Sequence, residues 1–289
     1  MILANKYKIL KQIGQGAFGK VYQGENIRTK ELVAVKVEKS TNEIKSLKYE
    51  TQIYQAIGPC PGIPAIKWFG LYRDYYFMVM PLLGISLREL KQKFTSLSYT
   101  SVLCFGIDMI QRLQNLHERG FIHRDVKPDN FLFGVDSLDL LCKENTNNIK
   151  DLYLVDFGFC KKYVDSNNNH IPIHYNRALI GSPNYVSINI HNKIEPSRRD
   201  DLESVGYIMI YLFFPEEEEE RINRNSMKEL IAFKMDIIDT DSPEQESKLG
   251  FKKIPYIIKK YLGYCKNLDF EQTPDYNYIY SMLREGLAK

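Results

Sequence analysis

Two short stretches carry residue types that could do chemistry together. One is His123-Arg124-Asp125-Val126-Lys127-Pro128-Asp129-Asn130, and the other, downstream, is Asp156-Phe157-Gly158. Carboxylates, an amide and a lysine in this order suit phosphoryl transfer, which needs positioned charge around a metal-bound triphosphate and little covalent chemistry. In that reading Asp125 accepts or orients the proton of an acceptor hydroxyl, and Lys127 offsets charge on the group in transit. Asn130 and Asp156 ligate Mg²⁺ through oxygen, as a hard cation prefers. Any one of these residues alone would pass for part of a polar turn. The set in this order would not.

A third stretch lies near the start, Gly14-Gln15-Gly16-Ala17-Phe18-Gly19-Lys20-Val21. Glycines let the main chain bend sharply and bring amide N–H groups up to phosphates. By itself the pattern is weak, because it also opens dinucleotide-binding folds when a helix follows directly. Here strand-forming residues follow (Val21, Tyr22, then 32–37), which favours a flexible hairpin lid and argues against a nicotinamide-dependent oxidoreductase. Lys36 closes Val33-Ala34-Val35-Lys36. A single lysine after an apolar strand is ordinarily an exposed one. With the glycine loop at this spacing upstream, it is read as holding the α- and β-phosphates of ATP. Glu50 on the next helix would be its partner, since an unpaired buried charge is costly.

The elements that must position these residues show two patterns. Residues 7–38 and 63–82 alternate apolar with polar and are rich in Val, Ile, Tyr and Phe, which predicts antiparallel strands. Between them, Ile44, Leu47, Ile53, Tyr54 and Ile57 give residues 42–57 helical spacing. After residue 85 the spacing is mainly helical, over 98–119, 200–214, 227–236, 255–265 and 276–286, with short strands at 131–133 and 153–155. The chain therefore reads as a single α+β domain of two lobes. A small antiparallel β-sheet lobe with one helix (about 1–82) meets a larger, mainly helical lobe (about 86–289) at a hinge near 81–85. Residues 135–150 are polar and read as an exposed loop.

Composition sets outer bounds. A chain of 289 residues, 44% hydrophobic and 26% charged, can bury a sizeable core and is no collagen, coiled coil or disulfide scaffold. The longest apolar stretch, 205–214, is too short to span a membrane. No basic segment leads into an apolar one at the N-terminus, so no secretory signal is expected. Five cysteines, never in C-x-x-C spacing, fit a reduced intracellular protein without a zinc site. His117, His170, His174 and His191 have no metal-ligand spacing, and His123 reads as a packing residue. Residues 1–82 hold 12 Lys/Arg against 6 Asp/Glu, whereas the remainder hold 27 against 30. A basic first segment could attract a polyanion, but no RNA-binding motif accompanies it, so no nucleic-acid partner is expected.

Together the three stretches are the signature set of protein kinases, and the sequence most closely resembles the casein kinase 1 family. The narrower likeness rests on Ser187-Ile188-Asn189, where most kinases have Ala-Pro-Glu. It rests too on Glu195-Pro196-Ser197-Arg198-Arg199-Asp200-Asp201-Leu202-Glu203-Ser204-Val205-Gly206-Tyr207, on Gly62-Ile63-Pro64 and on Leu82-Leu83-Gly84-Ile85-Ser86-Leu87. It runs from Tyr7 to about Arg284. The resemblance implies a two-lobed protein kinase fold and a constitutively active serine/threonine kinase dependent on ATP and Mg²⁺. Ile13, Val21, Ala34 and Leu132 would sandwich adenine, Met80 would guard the back of the pocket, and Leu83 would bond the base through its backbone. Pro81 replaces an acidic hinge residue, losing an N–H but keeping the carbonyl. Ser182 stands where the family has threonine close to Asp125, and Asp201 matches the carboxylate that braces the catalytic-loop backbone. Lysine two positions after Asp125 is the Ser/Thr pattern.

The implied partners are protein substrates with Ser/Thr acceptors, acidic or already phosphorylated. A monomer is expected, and the regulatory tail common in this family is not expected in this chain. The missing signal and membrane segments lead to an expectation of a cytoplasmic or nuclear protein not bound to membranes. Two departures bear on substrates. Asn184 replaces an arginine, and Pro215 with five glutamates at 216–220 replaces a basic loop. The acidic run is either a solvated helix start, where carboxylates suit the dipole, or a repeller of phosphorylated substrates. Lys161, Lys162 and Arg177 remain to supply positive charge. Tyr163, Ser166 and Tyr175 are candidates for phosphorylation, with Arg124 placed either to meet such a phosphate or to be satisfied by Tyr or backbone groups. The alternative is a pseudokinase scaffold, which usually lacks Lys36, Asp125, Asn130 or Asp156. None is missing.

Overall fold

Alternation along the strands decides which residues face the interlobe cleft. The computed structural model describes residues 1–16, 19–42, 46–94, 97–135, 152–214, 226–239 and 254–288. Strands β1 (Ile2–Leu3), β2 (Tyr7–Gly16), β3 (Gly19–Asn26), β4 (Leu32–Lys39), β5 (Trp68–Tyr72) and β6 (Tyr75–Pro81) form one antiparallel sheet in the order β1-β2-β3-β4-β6-β5. Val21 pairs with Lys36, Lys36 with Met78 and Ala34 with Met80, so these share one face. Val35, Val37, Phe77 and Val79 share the other. β1 was not expected, since two residues are too few to show an alternation.

Helix α1 (Ser46–Ile57) follows β4, and the strand caps it. The Glu38 carboxylate accepts from the amides of Ser46 (3.3 Å) and Leu47 (2.7 Å), placing negative charge at the positive end of the helix. The periodicity placed the helix start at 42; residues 43–45 lie outside the described residues, and the helix is described from Ser46.

The larger lobe is built from α2 (Leu87–Lys93), α3 (Tyr99–His117), α4 (Ile188–His191), α5 (Arg198–Phe213), α6 (Met227–Asp239), α7 (Tyr256–Lys266) and α8 (Tyr276–Leu287). α5 is buried on nearly every side, including Asp200, Asp201 and Glu203, and packs against α3 and α7. A helix apolar or buried all round belongs at the centre of a core. α2 was not expected, yet Ser86-x-x-Glu89 is a capping box and the structure uses it: Ser86 Oγ accepts from Glu89 N (3.1 Å), and Glu89 accepts from Ser86 N (2.8 Å).

Four short strands bracket the two chemically rich stretches. β7 (Phe121–Ile122) runs into His123, and β8 (Phe131–Phe133) leaves Asn130. β9 (Leu152–Leu154) runs toward Asp156, and β10 (Lys161–Lys162) follows Cys160. β7 pairs with β10 and β8 with β9, so both loops are pinned at both ends. One hydrophobic cluster runs through both lobes, from Leu47, Tyr54 and Met78 through Phe157 to Leu202 and Ile258. A smaller one, Leu3, Tyr7, Val33, Val35, Phe77 and Val79, lies on the sheet's other face. Among the described residues, no helix is long and apolar enough to cross a membrane.

Candidate active site

Three distant residues meet beneath the sheet. Lys36 Nζ donates to Glu50 Oε2 (2.7 Å) and to Asp156 Oδ1 (2.9 Å). Burial pushes the ammonium pKa down, but the two carboxylates outweigh it and hold Lys36 above its ordinary range. Burial likewise pushes Asp156 up, and Lys36 overcomes it, leaving that carboxyl below its usual value. For Glu50 burial wins, raising the carboxyl to about 7, so its ionised form leans on Lys36.

α1 also grips the Asp156 loop directly. Tyr54 meets the Phe157 ring edge-on (4.7 Å between centroids), and Tyr49 donates to the Cys160 carbonyl (2.7 Å). Asp156 itself sits in the left-handed region (φ 66°), which a non-glycine residue adopts only where its surroundings impose it. These contacts fix Asp156 relative to Lys36.

Asp125 is 2% exposed, with both carboxylate oxygens engaged: Lys127 Nζ donates to one (2.6 Å) and Ser182 Oγ to the other (2.9 Å). Asn130 Nδ2 donates to the Asp125 carbonyl (2.9 Å), which leaves the Asn130 amide oxygen for a cation. Asp201 accepts from the main-chain amides of His123 (2.7 Å) and Arg124 (2.9 Å) and from His117 Nε2 (2.9 Å). His117 Nδ1 in turn lies 2.7 Å from the Tyr276 hydroxyl. Burial pushes Asp201 up, but the bonds from His117 and His123 hold it below its ordinary value. Arg124 has φ 67°, a second left-handed residue held by its partners. His123 is fully buried against Phe157 (5.2 Å), with Nε2 3.1 Å from the Val155 carbonyl.

The pairing register puts Val21, Ala34, Lys36 and Met80 on one face of the sheet. Below them, Gly84 N donates to Phe133 O (2.7 Å) and Ser86 bridges to Leu132, which brings the hinge and Leu83 against β8. Ile13 lies at a register shift in β2 and is 46% exposed. Gly19 must be glycine, because its φ is 137° and a Cβ would stand 2.2 Å from Val37 O. Gly14 and Gly16 differ. A Cβ at Gly14 would make only an ordinary contact, and one at Gly16 would meet nothing, so their bareness leaves the main chain open to a ligand. Ala17 and Phe18, expected at the tip of this loop, lie outside the described residues. Lys20 pairs with Val37 and Gln15 pairs with Lys20. Alternation turns the Lys20 side chain to the face opposite Lys36, so at this position only the main chain is left for the cleft.

The segment from Lys161 to Arg177 also departs from expectation. Lys161 and Arg177, expected to offer free positive charge, both pair with the fully buried Glu195 (2.7 and 2.8 Å); Lys162 is exposed. Tyr163, expected as a phosphorylation candidate, is 6% exposed, donates to the His117 carbonyl (2.8 Å) and lies under the Arg198 guanidinium (4.6 Å). Its hydroxyl is part of the core. Ser166 and Tyr175 are exposed. Arg124 Nε donates to the Phe159 carbonyl (2.6 Å), so of its two expected partners, a phosphate or a backbone group, the structure holds the backbone group. The acidic run at 216–220 and all but the first residue of the 135–150 loop lie outside the described residues.

Two residues of the site were not anticipated. Arg88 on α2 pairs with Asp129 Oδ1 (2.7 Å) and donates to the Tyr185 hydroxyl (3.3 Å), joining the catalytic loop to the segment after Ser182. The capping box before it was the available signal. Lys234 on α6 is 1% exposed and reaches the carbonyls of Pro183 (3.0 Å) and Val186 (2.6 Å) and His191 Nε2 (3.0 Å). Nothing in the sequence of an amphipathic helix marks such a lysine. The family model described as protein kinase domain matches residues 7–274.

Proposed function

Because the chain belongs to the protein kinase family, we propose that it transfers the γ-phosphoryl group of ATP to serine and threonine hydroxyls of proteins, in the manner of the casein kinase 1 family. The observation that carries this reading is Asp125, whose carboxylate lies between Lys127 and Ser182 while Lys36 is held by Glu50 and Asp156. Asp125 takes or orients the acceptor hydroxyl proton. Lys127 and Lys36 provide fixed positive charge for the group in transit and for the donor phosphates.

Mg²⁺, when bound, neutralises charge on the phosphates. The donor set suits it, because Asn130 and Asp156 offer hard oxygens. Among the described residues no group of three or more His, Cys, Asp and Glu could hold a metal, so further ligands would come from nucleotide and water. Lysine two positions after Asp125 and the hydroxyl of Ser182 support a Ser/Thr acceptor. Acidic or phosphorylated substrates are supported by the family resemblance and by the exposed Lys162, since Lys161 and Arg177 are tied to the buried Glu195.

The test is transfer of labelled γ-phosphate from Mg-ATP to casein, then to matched primed and unprimed acidic peptides, with Asp125→Asn as the blank. Transfer to serine or threonine that vanishes in the variant is the expected result. ATP binding without transfer would leave the family membership intact but overturn the catalytic reading in favour of a scaffold.

A further inference from the structure

The alternation that turns Lys36 into the cleft turns Val37, Phe77 and Tyr75 away from it. They line a cavity of about 580 Å³ on the far face of the sheet, bordered by Met1 and by the glycine hairpin. Leu3 and Tyr7 lie over the smaller hydrophobic cluster on this face, and the cavity opens where that cover ends. Tyr75 is 37% exposed, a large ring presented to solvent beside an apolar floor.

Charge on the rim has one sign. Lys20, Lys39 and Arg73 are exposed around the cavity. Glu38 also lines it, but its carboxylate is turned to Ser46 and Leu47 on the other face, so it offers only main chain. Among the described residues no carboxylate pairs with Lys20, Lys39 or Arg73. These three belong to the basic excess of residues 1–82, and the phosphoryl-transfer site makes no use of them.

We propose that this cavity docks an extended acidic segment of a partner protein that carries an aromatic or large aliphatic side chain. The apolar side chain sits on Val37 and Phe77 beside the Tyr75 ring, and flanking carboxylates meet Lys39 and Arg73. An apolar anchor in a pocket within a charged rim is how peptide recognition gains both affinity and specificity. A concave, aromatic-walled cavity suits a protruding side chain rather than the plane of a membrane.

The test uses the complete chain and a dye-labelled nine-residue peptide of glutamates with two phenylalanines, read by fluorescence anisotropy. Two control peptides replace the glutamates with lysines or the phenylalanines with serines. The acidic aromatic peptide is expected to bind saturably, and both controls to bind about tenfold or more weakly. Lys39→Glu combined with Arg73→Glu should weaken binding by a similar factor, while phosphate transfer to casein stays at the parent level, since neither residue touches the catalytic machinery. Tyr75→Ala tests the floor independently of charge. Equal binding of the acidic and basic peptides, or affinity unmoved by both variants, would overturn the proposal. Preferential binding of anionic phospholipid vesicles or of a single-stranded oligonucleotide over the peptide would overturn it too, in favour of those partners.

Discussion

Replacing Asp201 by asparagine should separate the catalytic loop from its support. In the parent, one carboxylate oxygen accepts from Arg124 N at 2.9 Å, and the other accepts from His123 N at 2.7 Å and His117 Nε2 at 2.9 Å. An asparagine has a single acceptor oxygen. If that oxygen keeps His123 and His117, the new NH₂ faces the Arg124 N–H, and two donors oppose each other in a site 3% exposed. The loss is one bond to a charged acceptor, roughly 1.5–3 kcal/mol, plus about 1–3 kcal/mol for a buried donor left without a partner. The left-handed conformation of Arg124 persists only while its surroundings fix it, so losing this support also frees the loop to relax. A net destabilisation of about 3–5 kcal/mol is expected. At roughly 2 °C per kcal/mol for a domain of this size, Tm should fall by about 6–10 °C. Phosphate transfer should fall about a hundredfold, because Asp125 follows Arg124 directly and small displacements of a reacting group are costly. ATP affinity should change little, since Lys36, Glu50 and Asp156 are untouched. Differential scanning fluorimetry, transfer of labelled phosphate and calorimetric ATP titration read the three quantities. A variant within 2 °C of the parent with full transfer would show that the loop does not depend on Asp201, and the reasoning would fail.

Lys234→Met keeps the length of a side chain that supports the segment from Pro183 to His191 but strands two buried carbonyls and a histidine nitrogen. It should cost about 3 kcal/mol or more and raise KM for a protein acceptor more than KM for ATP, measured by steady-state transfer; an unchanged acceptor KM would refute the assignment. Asp108, raised to about 6 by burial against a smaller opposing pull from Arg112, gives a pH test. Its folded pKa lies above the unfolded one, so the native state binds more protons between about pH 4 and 6, and stability falls as pH rises through that window. Asp108→Asn should therefore raise Tm by about 2 °C at pH 7.5, from roughly 1 kcal/mol after solvent screening, and leave it unchanged near pH 3.5. A gain of equal size at both pH values would refute the titration account.

Local chemistry was legible where one short stretch carries it. His123 to Asn130, the Asp156 triplet and the glycine hairpin could be read as phosphate-handling stretches because their roles depend on residue type and fixed spacing. The antiparallel lobe and most helices were legible from period alone. α2 was hidden because seven residues give too little period, although Ser86 and Glu89 announced its start. Tyr163 was misjudged because a tyrosine in a polar loop looks exposed; only packing under Arg198 and against the His117 carbonyl removes it from solvent.

The charges show the deeper limit. Lys161, Arg177 and Lys234 stand in unremarkable sequence, only Lys36 is marked by the strand and glycine loop before it, and sequence assigns all four the same formal charge. The fold gives Lys36 two carboxylates, ties Lys161 and Arg177 to Glu195, and buries Lys234 until its ammonium falls to about 7. Likewise Lys20 stands one residue from Val21, yet the pleat sends them to opposite faces. Residue identity and short-range spacing determined which chemical groups this protein carries in its three signature stretches. Which charges stay free, which are cancelled and which face the cleft was decided by tertiary structure alone, because desolvation and Coulomb energy depend on distances between residues far apart in the chain.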